Sequence, residues 1–160
     1  MKEIIYIFIG GGMGSVTRYL TQIAVNERLS PALFPFPWGT FAVNIIGSLL
    51  IGFFYSFSER FNLSFELRLF LTVGFCGGFT TFSTLANDSL SLLKGGFYGI
   101  FTFYVFISIL LGLLAVLAGG YLGEQFKKLF KFYSKIILWQ RYASWLRAYR
   151  PCIHSQWSVS

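Results

Sequence analysis

Asn44, Arg18, Asp88, Tyr104 and Ser108 are polar side chains set inside or at the margins of long apolar stretches. Polar groups are costly at membrane depth, so each is a candidate for function. The Asn44 amide offers two donors and an acceptor, for a ligand or for another helix. Arg18 either snorkels to an interface or lines a water-filled vestibule that attracts anions. Asp88 caps a helix, pairs with Arg18 or faces water. Tyr104 and Ser108 stand one helical turn apart, so their hydroxyls share a face, as helix-helix glue or as a track for an ion. The inventory of hydroxyls, amides and aromatic ring edges, which carry partial positive charge, suits a small anion held without a full counter-charge.

Other chemistries lack their residues. Asp88 is the only acid inside an apolar segment, so no carboxylate cluster points to proton-coupled transport. His154 is the only histidine, near the C-terminus, and the cysteines are Cys76 and Cys152 with no CxxC. Neither a His/Cys metal site nor a disulfide framework is expected. No nucleotide-binding glycine fingerprint is present, and an enzyme is not expected.

One stretch stands apart: Gly74-Phe75-Cys76-Gly77-Gly78-Phe79-Thr80-Thr81-Phe82-Ser83-Thr84. Paired glycines followed by hydroxyl residues weaken a helix, and backbone groups freed in a membrane must be satisfied by protein, water or an ion. The stretch is either a kink patched by Thr and Ser hydroxyls or a broken helix. In the second case its carbonyls suit a cation and its half-helix N-terminus an anion.

These residues must be positioned in a bilayer. Of 160 residues, 55% are hydrophobic and 12% charged, about half the charge of a soluble domain. So much apolar surface cannot be hidden in a small soluble core. Four segments reach the roughly 20 residues that a crossing needs: about 4–25, 38–57, 67–93 and 97–122. The expected fold is an all-α membrane protein of four transmembrane helices, the third broken near its centre. The short link Lys94-Gly95-Gly96 predicts a tight hairpin. Small residues at Gly10 and Gly14, at Ser48 and Gly52, and at Gly112, Ala115, Gly119 and Gly123 predict close helix packing.

Residues 125–160 form a second region, a basic aromatic tail. They hold seven of the 13 Lys and Arg: Lys127, Lys128, Lys131, Lys135, Arg141, Arg147 and Arg150. Such a tail contacts membrane lipid headgroups or sets topology; nucleic acid is not an expected partner despite the net charge of +7. The stretch 125–150, with Trp139 and Trp145, reads as an interfacial helix that Pro151 should stop. The alternative is an appended segment with no role in transport.

With these residues in view, the chain resembles the CrcB/Fluc family of small fluoride channels. The resemblance rests on Gly11-Gly12, Gly14 and Arg18-Tyr19; on Gly39-Thr40-Phe41, Val43-Asn44 and Gly47; and on Gly74 to Gly78 followed by Thr80-Thr81-Phe82-Ser83-Thr84. It covers residues 1–124, the family's usual length. It implies an antiparallel, dual-topology homodimer in a bacterial inner membrane, with two pores through which fluoride leaves the cytoplasm passively. Asn44 matches the pore asparagine, Phe82 the first pore phenylalanine, and Tyr104 and Ser108 the polar track. Thr40 of the second motif is placed with the pore, and Arg18 matches the family arginine of a vestibule. Gly77 and Thr80 match positions whose carbonyls hold a structural Na+ at the dimer centre.

The chain departs from the family pattern at Leu85, where the second pore phenylalanine is expected. Leucine has no ring edge to offer an anion. Gly112 stands where a hydroxyl is common, and Asp88 where glutamate is frequent. The tail cations predict one preferred orientation with both termini cytoplasmic, which opposes an antiparallel homodimer and raises an oppositely biased partner subunit. The competing functions are a non-conducting membrane subunit, one half of a heterodimeric channel, or a proton-coupled exporter.

Overall fold

The computed structural model describes residues 1–29 and 35–154. Side chains at 60, 127, 129–134 and 143–154 fall outside that description. The described residues are all-helical apart from their connections. The chain divides into two units, Met1–Glu124 and Gln125–Ser160.

In the first unit, α1 runs Lys2–Arg28 and α2 Trp38–Arg60. The third apolar segment is composite. It opens with α3, Phe65–Leu69, whose Ser64 hydroxyl accepts from the Leu67 amide at 3.3 Å. A π-helical turn follows, Phe70–Cys76, and then the single turn α4, Gly77–Phe79. Thr80 and Thr81 are extended, with ψ of 155° and 111°, and α5 resumes over Phe82–Lys94. The last element, α6, runs Tyr98–His154. Among the described residues, three stretches are long and apolar enough to cross a membrane: Trp38–Glu59, Phe65–Lys94 and Tyr98–Phe126. The helix at the first expected segment forms, but its composition is less apolar than that of these three.

The connections follow from local chemistry. Asn62 takes φ of 46° between α2 and α3, a left-handed conformation that asparagine tolerates. At the 94–96 link, the Phe97 amide bonds Leu92 O at 2.9 Å and the Gly96 amide bonds Leu93 O at 3.1 Å. With Gly96 at φ 77°, this is a Schellman termination. Pro151 does not stop α6, which is helical through His154. Proline's fixed φ is compatible with a helix; it removes one hydrogen bond, which fails to end this one.

Glycines let backbones meet. A Cβ on Gly10 would lie 2.6 Å from the Phe70 carbonyl oxygen, and one on Gly14 would overlap that of Phe75. The π-helical turn is therefore pressed directly on α1. Gly52 and Gly119 do the same for α2 and α6: their Cβ atoms would strike the Val116 and Leu49 carbonyls. Gly112 is open by comparison, its nearest neighbour being Ser48 Oγ at 3.6 Å. A buried cluster of Phe36, Leu92 and Tyr104, joined by Trp38, Phe41 and Leu85, fills the space between α2, α5 and α6. The Phe36 and Tyr104 rings meet edge to face at 5.2 Å.

Candidate functional site

The extended pair Thr80–Thr81 is the centre of the site, and Asn44 of α2 holds it open. The Thr81 amide donates to Asn44 Oδ1 at 2.8 Å, and Asn44 Nδ2 donates to the Thr81 carbonyl at 3.1 Å. The side-chain amide thus pairs with both backbone groups of one residue, as a neighbouring strand would. In an uninterrupted helix the Thr81 amide would bond the Gly77 carbonyl four residues back. Asn44 has taken that donor.

The hydroxyls complete the junction. Thr80 Oγ1 and the Thr80 amide each donate to the Cys76 carbonyl at 2.9 Å. Thr81 Oγ1 accepts from the Thr84 amide at 3.2 Å, which caps α5. It also lies 2.9 Å from Thr84 Oγ1 and 3.2 Å from Ser83 Oγ. Gly47 allows the approach, since a Cβ there would overlap the Thr80 methyl group.

Beside this junction lies an open groove of about 560 Å³, lined by Asn44, Ser48, Thr80, Thr81, Phe82, Leu85 and Ser108 among others. None of its lining residues is charged. One Nδ2 hydrogen of Asn44 is left after its bond to Thr81. The positive end of α5 opens here, and the first-turn amides of Phe82 and Ser83 have no acceptor within their own helix. Ser108 Oγ is buried and makes no hydrogen bond. The groove therefore presents unused donors in weakly polar surroundings, an arrangement that favours a small anion.

The expected site residues separate into three groups. Asn44, Phe82, Leu85, Ser108 and Thr80 share the groove. Thr40 lines a smaller cavity of about 280 Å³ with Asn26, Gly39 and Asp88. Tyr104 is wholly buried one turn before Ser108; its hydroxyl lies beside Thr40 and Asp88 and hydrogen-bonds neither. Arg18 sits half-buried on α1, lines neither cavity and forms no ion pair with Asp88. Phe82, by contrast with its partners, is 82% exposed.

Gly77 and Thr80 supply oxygens of the kind a hard cation takes. Gly77 is exposed, and a Cβ placed on it would meet nothing within 4 Å, so its backbone is open to approach. Its carbonyl has lost its helical donor to Asn44. These residues fit a cation in chemistry, though one chain offers fewer oxygens than the about six such an ion needs. Among the described residues no cluster of three His, Cys, Asp or Glu side chains exists.

Three contributors lie outside the expected site residues. Thr81 is one, and its signal is the threonine three residues before Thr84, an N-cap pattern. Asn26 Oδ1 accepts from the Gly39 amide at 3.1 Å and ties α1 to the start of α2. Gln22 reaches Thr40 Oγ1 at 3.4 Å. The last two sit among polar residues near a helix end and carry no distinguishing spacing.

The fold and groove define a polytopic α-helical membrane protein. The chain belongs to the CrcB family: the family model described as "CrcB-like protein, Camphor Resistance (CrcB)" matches residues 5–120. It is 50% identical over 124 residues to the fluoride-specific ion channel FluC of Phocaeicola vulgatus, covering 78% of this chain and 100% of that one. The FluC proteins of Flavobacterium psychrophilum and Agrobacterium fabrum are each 44% identical over 126 residues, covering 78% of this chain and 99% and 98% of theirs.

Proposed function

We propose that the protein is a passive fluoride-selective channel that releases fluoride from the cytoplasm and so lowers its toxicity. It is a channel and not an enzyme. The observation that carries this reading is the uncharged, donor-lined groove at the Asn44–Thr81 junction. The relatives' name, fluoride-specific ion channel, gives the ion. Asn44 offers its free N–H, Ser108 and Tyr104 their hydroxyls, and Phe82 its ring edge, to fluoride passing along α6.

The working form in this reading has four crossings per subunit, the third broken at Thr80–Thr81, and is an antiparallel dual-topology homodimer in the bacterial inner membrane. A second copy explains why Phe82, an aromatic beside the groove, is left exposed by a single chain. Two copies would also double the Gly77 and Thr80 oxygens. Those residues would hold a structural Na+, which would fix the facing helix breaks electrostatically. Arg18 belongs to a vestibule, and Thr40 serves the pathway through Tyr104.

Fluoride release from proteoliposomes tests the reading. Wild type is expected to release fluoride rapidly and chloride at least about a hundredfold more slowly, a difference of about 3 kcal/mol in barrier. Leu85→Phe should raise fluoride release severalfold, because an aromatic ring presents a positive edge to an anion where leucine presents none. No fluoride release from a folded dimer inserted both ways would overturn the channel.

The tail and Leu85 favour a second reading, one half of a heterodimeric or non-conducting assembly. Seven cations on one terminus bias insertion toward a cytoplasmic tail. Tags on both termini measure this: one orientation above about nine in ten supports an obligate partner, and equal orientations support the homodimer.

A further inference from the structure

Residues 125–160 contain seven Lys or Arg and no Asp or Glu, the last acid of the chain being Glu124. The backbone from Gln125 to His154 is helical, so a period of 3.6 residues applies to the sequence there. Lysine occupies positions 127, 128, 131 and 135. Phenylalanine, leucine, tyrosine and isoleucine occupy 126, 129, 130, 132, 133, 136 and 137, with Phe132 at the border between the two faces. At that period the two sets of positions fall on opposite halves of the helix.

We propose that the segment 125–137 is an anionic-lipid-binding helix that lies in the membrane interface, which requires α6 to turn where it leaves the bilayer, at the boundary between the two units after Glu124. Its described residues are open to such a surface: Lys128 and Lys135 are exposed, and Ile136 and Ile137 are 38% and 54% exposed. Charge selects the occupant. A second copy would bring four more lysines to the same flank, whereas an anionic bilayer attracts them and takes the apolar stripe at its acyl boundary. The segment is about 20 Å long, enough for a surface helix.

The pattern also supplies its own control. From Leu138 onward the phase reverses: 138, 139 and 142 are apolar or aromatic positions on the lysine side, while 140, 141, 144 and 147 are polar positions on the other. Trp139, 74% exposed, is on that second stripe. One flat surface cannot receive both stripes of a single straight helix. The proposal therefore assigns the membrane to 125–137 alone, and Arg141 and Arg147 should contribute little. This inference stands independently of which ion the first unit passes.

The test uses the full chain in vesicles, with Cys76→Ser and Cys152→Ser and one spin label at Ile136→Cys or Lys128→Cys. Vesicles are phosphatidylcholine alone or mixed with phosphatidylglycerol. Collision with oxygen reports lipid, and collision with an aqueous nickel chelate reports water. With phosphatidylglycerol, the label at 136 should favour oxygen and the label at 128 nickel. Each lysine is expected to change the immersed-to-aqueous ratio about fivefold. Replacing Lys127, Lys128, Lys131 and Lys135 by Gln should lower it more than about tenfold, and Arg141→Gln with Arg147→Gln less than about twofold. Monodisperse elution of each variant checks the fold. Nickel access at 136 in anionic vesicles overturns the proposal. So does exclusion of both reagents, which means burial against protein, or an immersion indifferent to lipid charge.

Discussion

Asn44→Ala is expected to cut fluoride release roughly ten- to hundredfold and to weaken the fold at the same time. The substitution strips the partner from the Thr81 N–H and from the Thr81 carbonyl. Each unsatisfied group costs about 1–3 kcal/mol, and at membrane depth no bulk water replaces the loss. The passing anion also loses a donor worth about 1.5–3 kcal/mol, roughly ten- to hundredfold in rate. Asn44→Asp separates the two effects. A carboxylate still accepts from the Thr81 amide but cannot donate to its carbonyl, and its negative charge faces an anion. It should retain more of the fold than alanine while losing fluoride release by at least about a hundredfold. Thermal aggregation in detergent reads the first effect and proteoliposome efflux the second. Wild-type efflux in both variants would remove Asn44 from the pathway.

Gly119→Ala produces the largest expected loss of stability. Its added carbon would overlap the Leu49 carbonyl and lie 2.9 Å from the Phe53 amide. Both obstacles are backbone, so no rotamer change relieves them; α2 and α6 must separate. Overpacking of this kind typically costs about 1–3 kcal/mol, and a forced shift of two helices belongs at or above the upper end. Gly112→Ala lies on the same helix and meets only the Ser48 hydroxyl at 3.6 Å. It should lose no stability, and the better helix propensity of alanine favours it by up to about 1 kcal/mol. Comparing monodisperse yield and melting midpoint of the two variants checks the contrast. Equal losses would mean that the α2–α6 approach does not set the cost, since alanine is the better helix former and propensity alone would favour both variants.

The same seam shows what was legible in the sequence. Gly119 and Gly52 were readable as packing positions because small residues at helical spacing have few other uses in lipid. Their partner was not readable, since spacing on one helix does not say which backbone it meets. The composition and the length of the apolar runs marked the membrane segments, and paired glycines before hydroxyls marked Thr80 and Thr81 as the weak point. The π-helical turn Phe70–Cys76 was hidden: its sequence is apolar like its neighbours, and its site against Gly10 and Gly14 exists only once α1 has packed. Thr40 shares a motif with Asn44 yet lines a different cavity, because one helical turn is enough to carry a side chain from one opening to the next. Pro151 misled in the opposite sense, as a stop signal acts on the first position that cannot be accommodated, and this one was.

The Asn44–Thr81 pairing joins residues 37 positions apart and dictates an order of assembly. Before α2 arrives, a third segment alone in lipid would have to bury the bare N–H and carbonyl of Thr81, at several kcal/mol. It is better off as one continuous helix. The interruption becomes favourable only when Asn44 reaches it, so the opening of the helix is a product of helix association and not a property that the third segment carries into the membrane. Synthesis runs in the helpful direction, because α2 emerges first and its amide is already in place when Thr81 follows.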